Sequence, residues 1–249
     1  MRSPFSNDNS QILSGYVGVP SGTTTVRLGS GQTMALGDFY DGCQYAVAEF
    51  GSGDTDTLDA FVNGRGASVP GGTRNALRID NNTPRGGGMG LPPSWEMWVY
   101  SISYELVRAT GATTFAGYSE PVRQTVAFDL TRKLYAEYLY NSTFYVQGSI
   151  LDNPQGVGLS LSGTTNDVQI VNNGVPDPRA RISMELPLHE ERDISFSSQV
   201  TPMSALTIAQ TGVDASLTSL TTVDLKVRKY GIIRRNVGAG GTGTAGMPA

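Results

Sequence analysis

Met97-Trp98-Val99-Tyr100-Ser101-Ile102-Ser103-Tyr104-Glu105-Leu106 is the stretch that decides the fold class. Trp98, Tyr100, Ile102, Tyr104 and Leu106 alternate with Val99, Ser101, Ser103 and Glu105. That alternation predicts a strand with an aromatic-aliphatic face turned inward and a more polar face outward. The longest strand candidate, residues 222–235, repeats the pattern, with Val223, Leu225 and Val227 set against Asp224, Lys226 and Arg228. Shorter candidates cover residues 23–28, 44–50, 58–62, 75–79, 143–147, 157–161, 168–171, 181–186, 194–200 and 206–208. Turn formers bound them, among them Asp41-Gly42, Gly51-Ser52-Gly53, Asn63-Gly64 and the breaker-rich run from Asn81 to Gly88. The total of about eleven to thirteen short strands without an exact repeat predicts a sandwich rather than a propeller or solenoid.

One segment breaks the β pattern. Behind Asp129 as N-cap, Leu130, Leu134, Tyr135, Tyr138 and Leu139 recur at helical spacing. This predicts an amphipathic helix over 129–140, packed on a sheet face and ended by Asn141-Ser142. The expected fold is all-β, a jelly-roll β-sandwich with this one short helix. Two jelly rolls in tandem are expected, over 16–120 and 121–237, between an N-terminal arm (1–15) and a flexible Gly/Thr/Ala-rich tail (238–249). A single jelly roll with long insertions remains the other arrangement.

Composition narrows the function. The chain has 249 residues, enough for one large or two small domains, and 39% of them are hydrophobic. Only 16% are charged, against roughly 25% in an ordinary soluble domain, and 31 Gly with 13 Pro supply a heavy load of turns. A net charge of −4 gives no global positive field for nucleic acid, so phosphate contact would need a local patch. The lone Cys43 excludes a disulfide framework and a Cys-rich zinc site, and the lone His189 excludes multi-histidine metal centres. No apolar run of about 18 residues is present for a membrane helix. The opening Met1-Arg2-Ser3-Pro4-Phe5-Ser6-Asn7 lacks the apolar core of a secretory signal, so folding in a cytosol is expected.

No residue set forms a convincing catalytic site. His189, in Pro187-Leu188-His189-Glu190-Glu191-Arg192, reads as part of a polar turn without a matching nucleophile. Glu190 and Glu191 are adjacent, so on a strand they would face opposite ways and could not share a hydrolytic step. Cys43 reads as a small buried hydrophobe rather than a reactive thiol. Asp54, Asp56 and Asp59 are the candidate Ca²⁺ ligands, although they do not complete an EF-hand loop and solvated turn acids explain them as well. Trp95 and Trp98, with Tyr100 and Tyr104, could form a sugar-stacking platform, but core packing is the simpler use. The Gly-rich segments at 29–31, 64–66 and 86–90 lack phosphate-loop patterns, and no cofactor is expected. Arg228, Lys229, Arg234 and Arg235 make the last strand the most basic stretch, a candidate contact for an acidic partner, genome or lipid headgroup, or simply edge protection.

Some segments resemble a known family. The opening Met1-Arg2-Ser3, then Val26-Arg27-Leu28, Gly31-Gln32-Thr33 and Asp38-Phe39-Tyr40-Asp41-Gly42, is similar to the start of small double-jelly-roll coat proteins. These belong to tailless icosahedral phages with an internal membrane, of the corticovirus type. The closing Val223 to Ile233 run, and the pair Leu186-Pro187-Leu188 and Ile194-Ser195-Phe196, carry the same resemblance. The matched residues cover about a fifth of the chain in short motifs. The resemblance implies a major capsid protein in the virion, assembled in the host cytoplasm. It implies homotrimeric capsomers with lateral contacts, penton or minor capsid proteins as partners, and an internal membrane or genome beneath. Low charge load and Gly/Ser/Thr-rich termini fit such a role. The competing readings are a lectin-like or receptor-binding β-sandwich, such as a spike or adhesin head, and, weakest, a β-sandwich hydrolase.

Overall fold

The structure, a computed structural model, describes residues 25–27, 33–35, 39–110, 131–153, 156–157, 160–161, 171–172, 175–176, 183–206 and 222–235. The expected arm, the C-terminal tail and the proposed N-cap Asp129 lie outside these residues, as do 168–170 and 207–208 of the expected strands.

Four long strands form the first sheet. In chain order they are β3 (Phe39–Gly51), β5 (Trp95–Thr110), β12 (Ser183–Glu190) and β14 (Thr222–Arg235), paired antiparallel in the order β12-β5-β14-β3. The second sheet is shorter, with β4 (Leu58–Asp59), β6 (Leu134–Tyr140), β7 (Thr143–Ser149) and β13 (Phe196–Pro202) in the order β4-β13-β6-β7. Three small ladders complete the strands among the described residues: β1 (Thr25–Arg27) with β2 (Thr33–Ala35), β8 (Gly156–Val157) with β11 (Val175–Pro176), and β9 (Ser160–Leu161) with β10 (Val171–Asn172).

The two large sheets face each other across one core. Ala46, Ala48, Phe50, Tyr104, Leu106, Leu225 and Val227 from the long sheet meet Leu134, Tyr138, Phe196 and Val200 from the short one. Each of the two large sheets combines strands from before and after the expected division at residue 120. The chain is an all-β sandwich of two antiparallel sheets with very little helix.

The expected helix over 129–140 is corrected. Its span holds one helical turn at 131–133 and then strand β6, whose residues alternate buried and half-buried from Leu134 to Tyr140. Leu134, Ala136, Tyr138 and Tyr140 all enter the core, a period of two that competes with the helical period in the same seven residues. The sheet wins because Asn141 and Ser142 both take positive φ, forming the two-residue turn that folds β6 back onto β7.

The decisive strand β5 is present, with an altered parity. Val99 lies opposite Gly231 and Ser101 opposite Tyr230, leaving Tyr100 as a bulge. Met97 and Val99 therefore point inward before it, and Ile102, Tyr104 and Leu106 after it, while Trp98 turns to the outer face. Gly231 is required there, since a Cβ would collide with the carbonyl oxygen of Trp98. Residues 75–79, expected as a strand, hold only a bridge between Ser68 and Asn75, then irregular chain that enters a turn at 78.

The long β4–β5 connection caps the free edge of β3. Asn82 receives the Tyr45 N–H on its side-chain oxygen at 2.7 Å and donates to the Cys43 carbonyl at 2.7 Å. Pro70 accepts from the Glu49 N–H at 2.9 Å. Backbone groups that would otherwise present an open ladder are thus satisfied within the chain.

Candidate functional site

The end of β12 organises the most chemically dense region. Strand alternation through Leu188-His189-Glu190 turns His189 outward and Glu190 inward. His189 is corrected from a turn residue to a strand residue. Glu190 and Glu191 do face opposite ways, the first buried and the second exposed.

On the outer side a cleft of about 420 Å³ opens beside His189, lined also by Ser94, Glu96, Glu191, Arg192 and Arg234. The imidazole stacks on Trp98 with ring centroids 4.6 Å apart and planes 5° from parallel. Its Nε2 lies 3.7 Å from Glu96, and its Nδ1 4.0 Å from Glu191. Glu96 is shared with Arg234 at 3.0 Å. Charges of both signs therefore line the cleft, with Glu96 lying between His189 and Arg234.

On the inner side Glu190 meets Lys229 and Tyr138. Lys229 Nζ lies 2.6 Å from Glu190 Oε2, with both side chains without solvent exposure. The Tyr138 hydroxyl donates to Glu190 Oε1, and Lys229 Nζ lies 3.3 Å from that hydroxyl. The ammonium also sits over the Phe196 ring, 3.3 Å from its centroid. Burial pushes the Lys229 pKa below the ordinary lysine range, opposed by the Glu190 carboxylate. Burial, and then the Glu190 charge, raises the Tyr138 hydroxyl well above the usual phenol.

The basic cluster of the last strand is split by this geometry. Lys229 is corrected as a surface contact, because it belongs to the inward row of Val223, Leu225 and Val227. Arg228 and Arg234 face outward, held by Glu105 at 2.8 Å and Glu96 at 3.0 Å. The Arg235 side chain lies outside the described side chains.

The remaining candidates separate as well. Asp54 accepts from the Gly51 N–H at 2.6 Å, and Asp59 accepts from the N–H groups of Phe61 and Ser198 at 2.9 and 3.0 Å. Burial raises the Asp59 pKa, offset by those hydrogen bonds. Asp56 is exposed. Among the described residues no group of three or more His, Cys, Asp or Glu gathers to hold a metal ion. Cys43 is half-buried and forms no disulfide. Trp95 packs against the core and Tyr104 is inside it, whereas Trp98 is outside, so the four aromatics do not make one platform.

Two constellations were missed in the sequence. The buried Lys229–Glu190–Tyr138 cluster had a readable signal in Lys229, which continues the inward parity of Val223, Leu225 and Val227. The second is Arg74, whose guanidinium engages Glu49, Asp80 and Asp224 at 3.3, 2.6 and 2.8 Å. Its partners are 25, 6 and 150 residues away, so no local spacing announces it. No protein-family model and no curated protein matches the chain.

Proposed function

We propose that the chain is a jelly-roll coat protein that self-assembles through lateral contacts into an icosahedral shell, as part of a virion. The observation that carries the reading is strand order. Counting only the eight strands of the large sheets, the first (β3) pairs with the eighth (β14) and the second (β4) with the seventh (β13). The third (β5) pairs with the sixth (β12) and the fourth (β6) with the fifth (β7). That nested pairing is the order of a ribbon rolled into a jelly roll, an architecture used by viral capsid and lectin domains. Because it consumes strands from both halves of the chain, the proposal is one jelly roll rather than two in tandem.

The coat reading is favoured over a lectin-like module by where apolar side chains remain exposed. Leu77 and Ile79 lie on the β4–β5 connection, Phe144 and Tyr145 on β7, Leu186 on β12 and Met203 after β13. Exposed apolar groups on several flanks suit a subunit surrounded by copies of itself. A binding module concentrates them at one pocket.

Light scattering on the purified protein tests the reading. The expected outcome is an oligomer, a trimer having about three times the 26.4 kDa chain mass, that goes on to form shells visible by electron microscopy. A persistent monomer that binds glycans through the loop end would replace the coat reading with the lectin-like one.

A further inference from the structure

We propose that Lys229 and Glu190 condense in the folded core to an amide bond, a covalent cross-link from β14 to β12 across β5. The reacting groups are 2.6 Å apart, sealed from solvent, and walled by Phe196 and, with its ring centroid 5.4 Å from Nζ, Phe61. In such a site two ions lose their hydration, so proton transfer from ammonium to carboxylate is favoured. That transfer leaves a free amine against a carboxylic acid, the two reagents of amide formation. Held in contact by the fold, they react as one molecule, with the entropy of encounter already spent.

The step balances without any co-reactant. The Lys229 amine lone pair forms the new N–C bond at Glu190 Cδ, and negative charge gathers on the oxygen to which the Tyr138 hydroxyl donates. Collapse of the tetrahedral carbon breaks its other C–O bond. That oxygen leaves as water, carrying the proton first transferred and one more from nitrogen, while one N–H stays on the amide. Two buried ions become one neutral group, and Tyr138 keeps an acceptor. Four other cations of the long sheet's outer face and loops show the contrast. Arg74, Arg228 and Arg234 are guanidinium groups with part-exposed side chains, and Lys226 Nζ donates to the Ile79 carbonyl rather than to a carboxylate.

Mass spectrometry of the purified full chain decides it. The expected result is a loss of one water (about 18 Da) from the sequence mass, with a branched tryptic peptide joining residues 182–192 to 229–234. A chain at full sequence mass, cleaved after Lys229, overturns the proposal. So does a water loss that maps to Asp41-Gly42, where ring closure of the aspartate gives the same deficit. Lys229→Met is expected at its full sequence mass. Should that variant not fold, the peptide map of the native chain decides alone.

Discussion

The two faces of the long sheet both carry charge, and they carry it under opposite conditions. Inside, Lys229 and Glu190 are without solvent exposure and share Tyr138 as a third partner. Outside, Arg74, Arg228 and Arg234 keep 25%, 26% and 16% of their side-chain surface while gripping carboxylates. Each outer cation can still turn to water, although carboxylates such as Asp224 and Glu105 are nearly covered, whereas both inner partners are sealed from it. The inner pair therefore works as a register lock, since it closes only when β12, β5 and β14 are aligned. The outer pairs staple strands and loops that other bonds already position.

Removing one inner partner should give the largest effect. Lys229→Met leaves Glu190 buried and unpaired, and should lower stability by about 3–5 kcal/mol in denaturant unfolding. Lys229→Met combined with Glu190→Leu should recover the part owed to the unpaired acid, and the loss that stays is the share of the cross-link. Equal losses in the single and double variants would mean that the unpaired acid itself costs nothing.

A second inner group sharpens the contrast through pH. Burial pushes the Tyr104 pKa up to about 12 from 10, so above pH 10 the folded state holds a proton that the unfolded state has released. Stability present below pH 10 is then lost as pH rises towards 12, by about 1.4 kcal/mol per unit for this group. Between pH 9 and 11 the unfolding curves should shift in favour of Tyr104→Phe by about 1.4 kcal/mol in all, because the loss begins only at pH 10. A constant difference would place Tyr104 in contact with water.

Outer-face variants should rank below these. Arg74→Ala frees Glu49, Asp80 and Asp224 together and should cost about 1–2 kcal/mol, with faster amide exchange at Glu49 and Tyr45 as the loop over β3 loosens. Arg228→Ala, which loses the pair with Glu105 and a contact 6.0 Å from the Tyr45 ring centroid, should cost about 1 kcal/mol. An Arg228 effect as large as that of Lys229 would erase the distinction between the faces.

Long strands were legible because many residues vote on one period. Residues 222–235 were read as a strand and form β14 with the same bounds. The parity of β5 was misread because a bulge has no local signature. Tyr100 is the extra residue only by virtue of its pairing with a strand about 130 residues away. The segment 134–140 failed for a different reason, since seven residues rich in Leu and Tyr satisfy both periods and only tertiary pairing arbitrates. Of the site, the polar string around His189 was visible, but its strand register and the inward turn of Glu190 were not. Arg74 drew its partners from distant segments and left no trace in spacing.

The position of β14 has a consequence for how the molecule is made. It is the last of the described strands in sequence, yet it lies between β3 and β5 at the centre of the long sheet. Residues 39–110 therefore emerge during synthesis with two long strands that cannot pair with each other in the native order. Both must wait for residues 222–235 before their ladders close, a delay of more than a hundred residues in a topology already dominated by distant contacts. Folding is thus gated by the arrival of one late segment, and until then the exposed strands are open to chaperones or to one another.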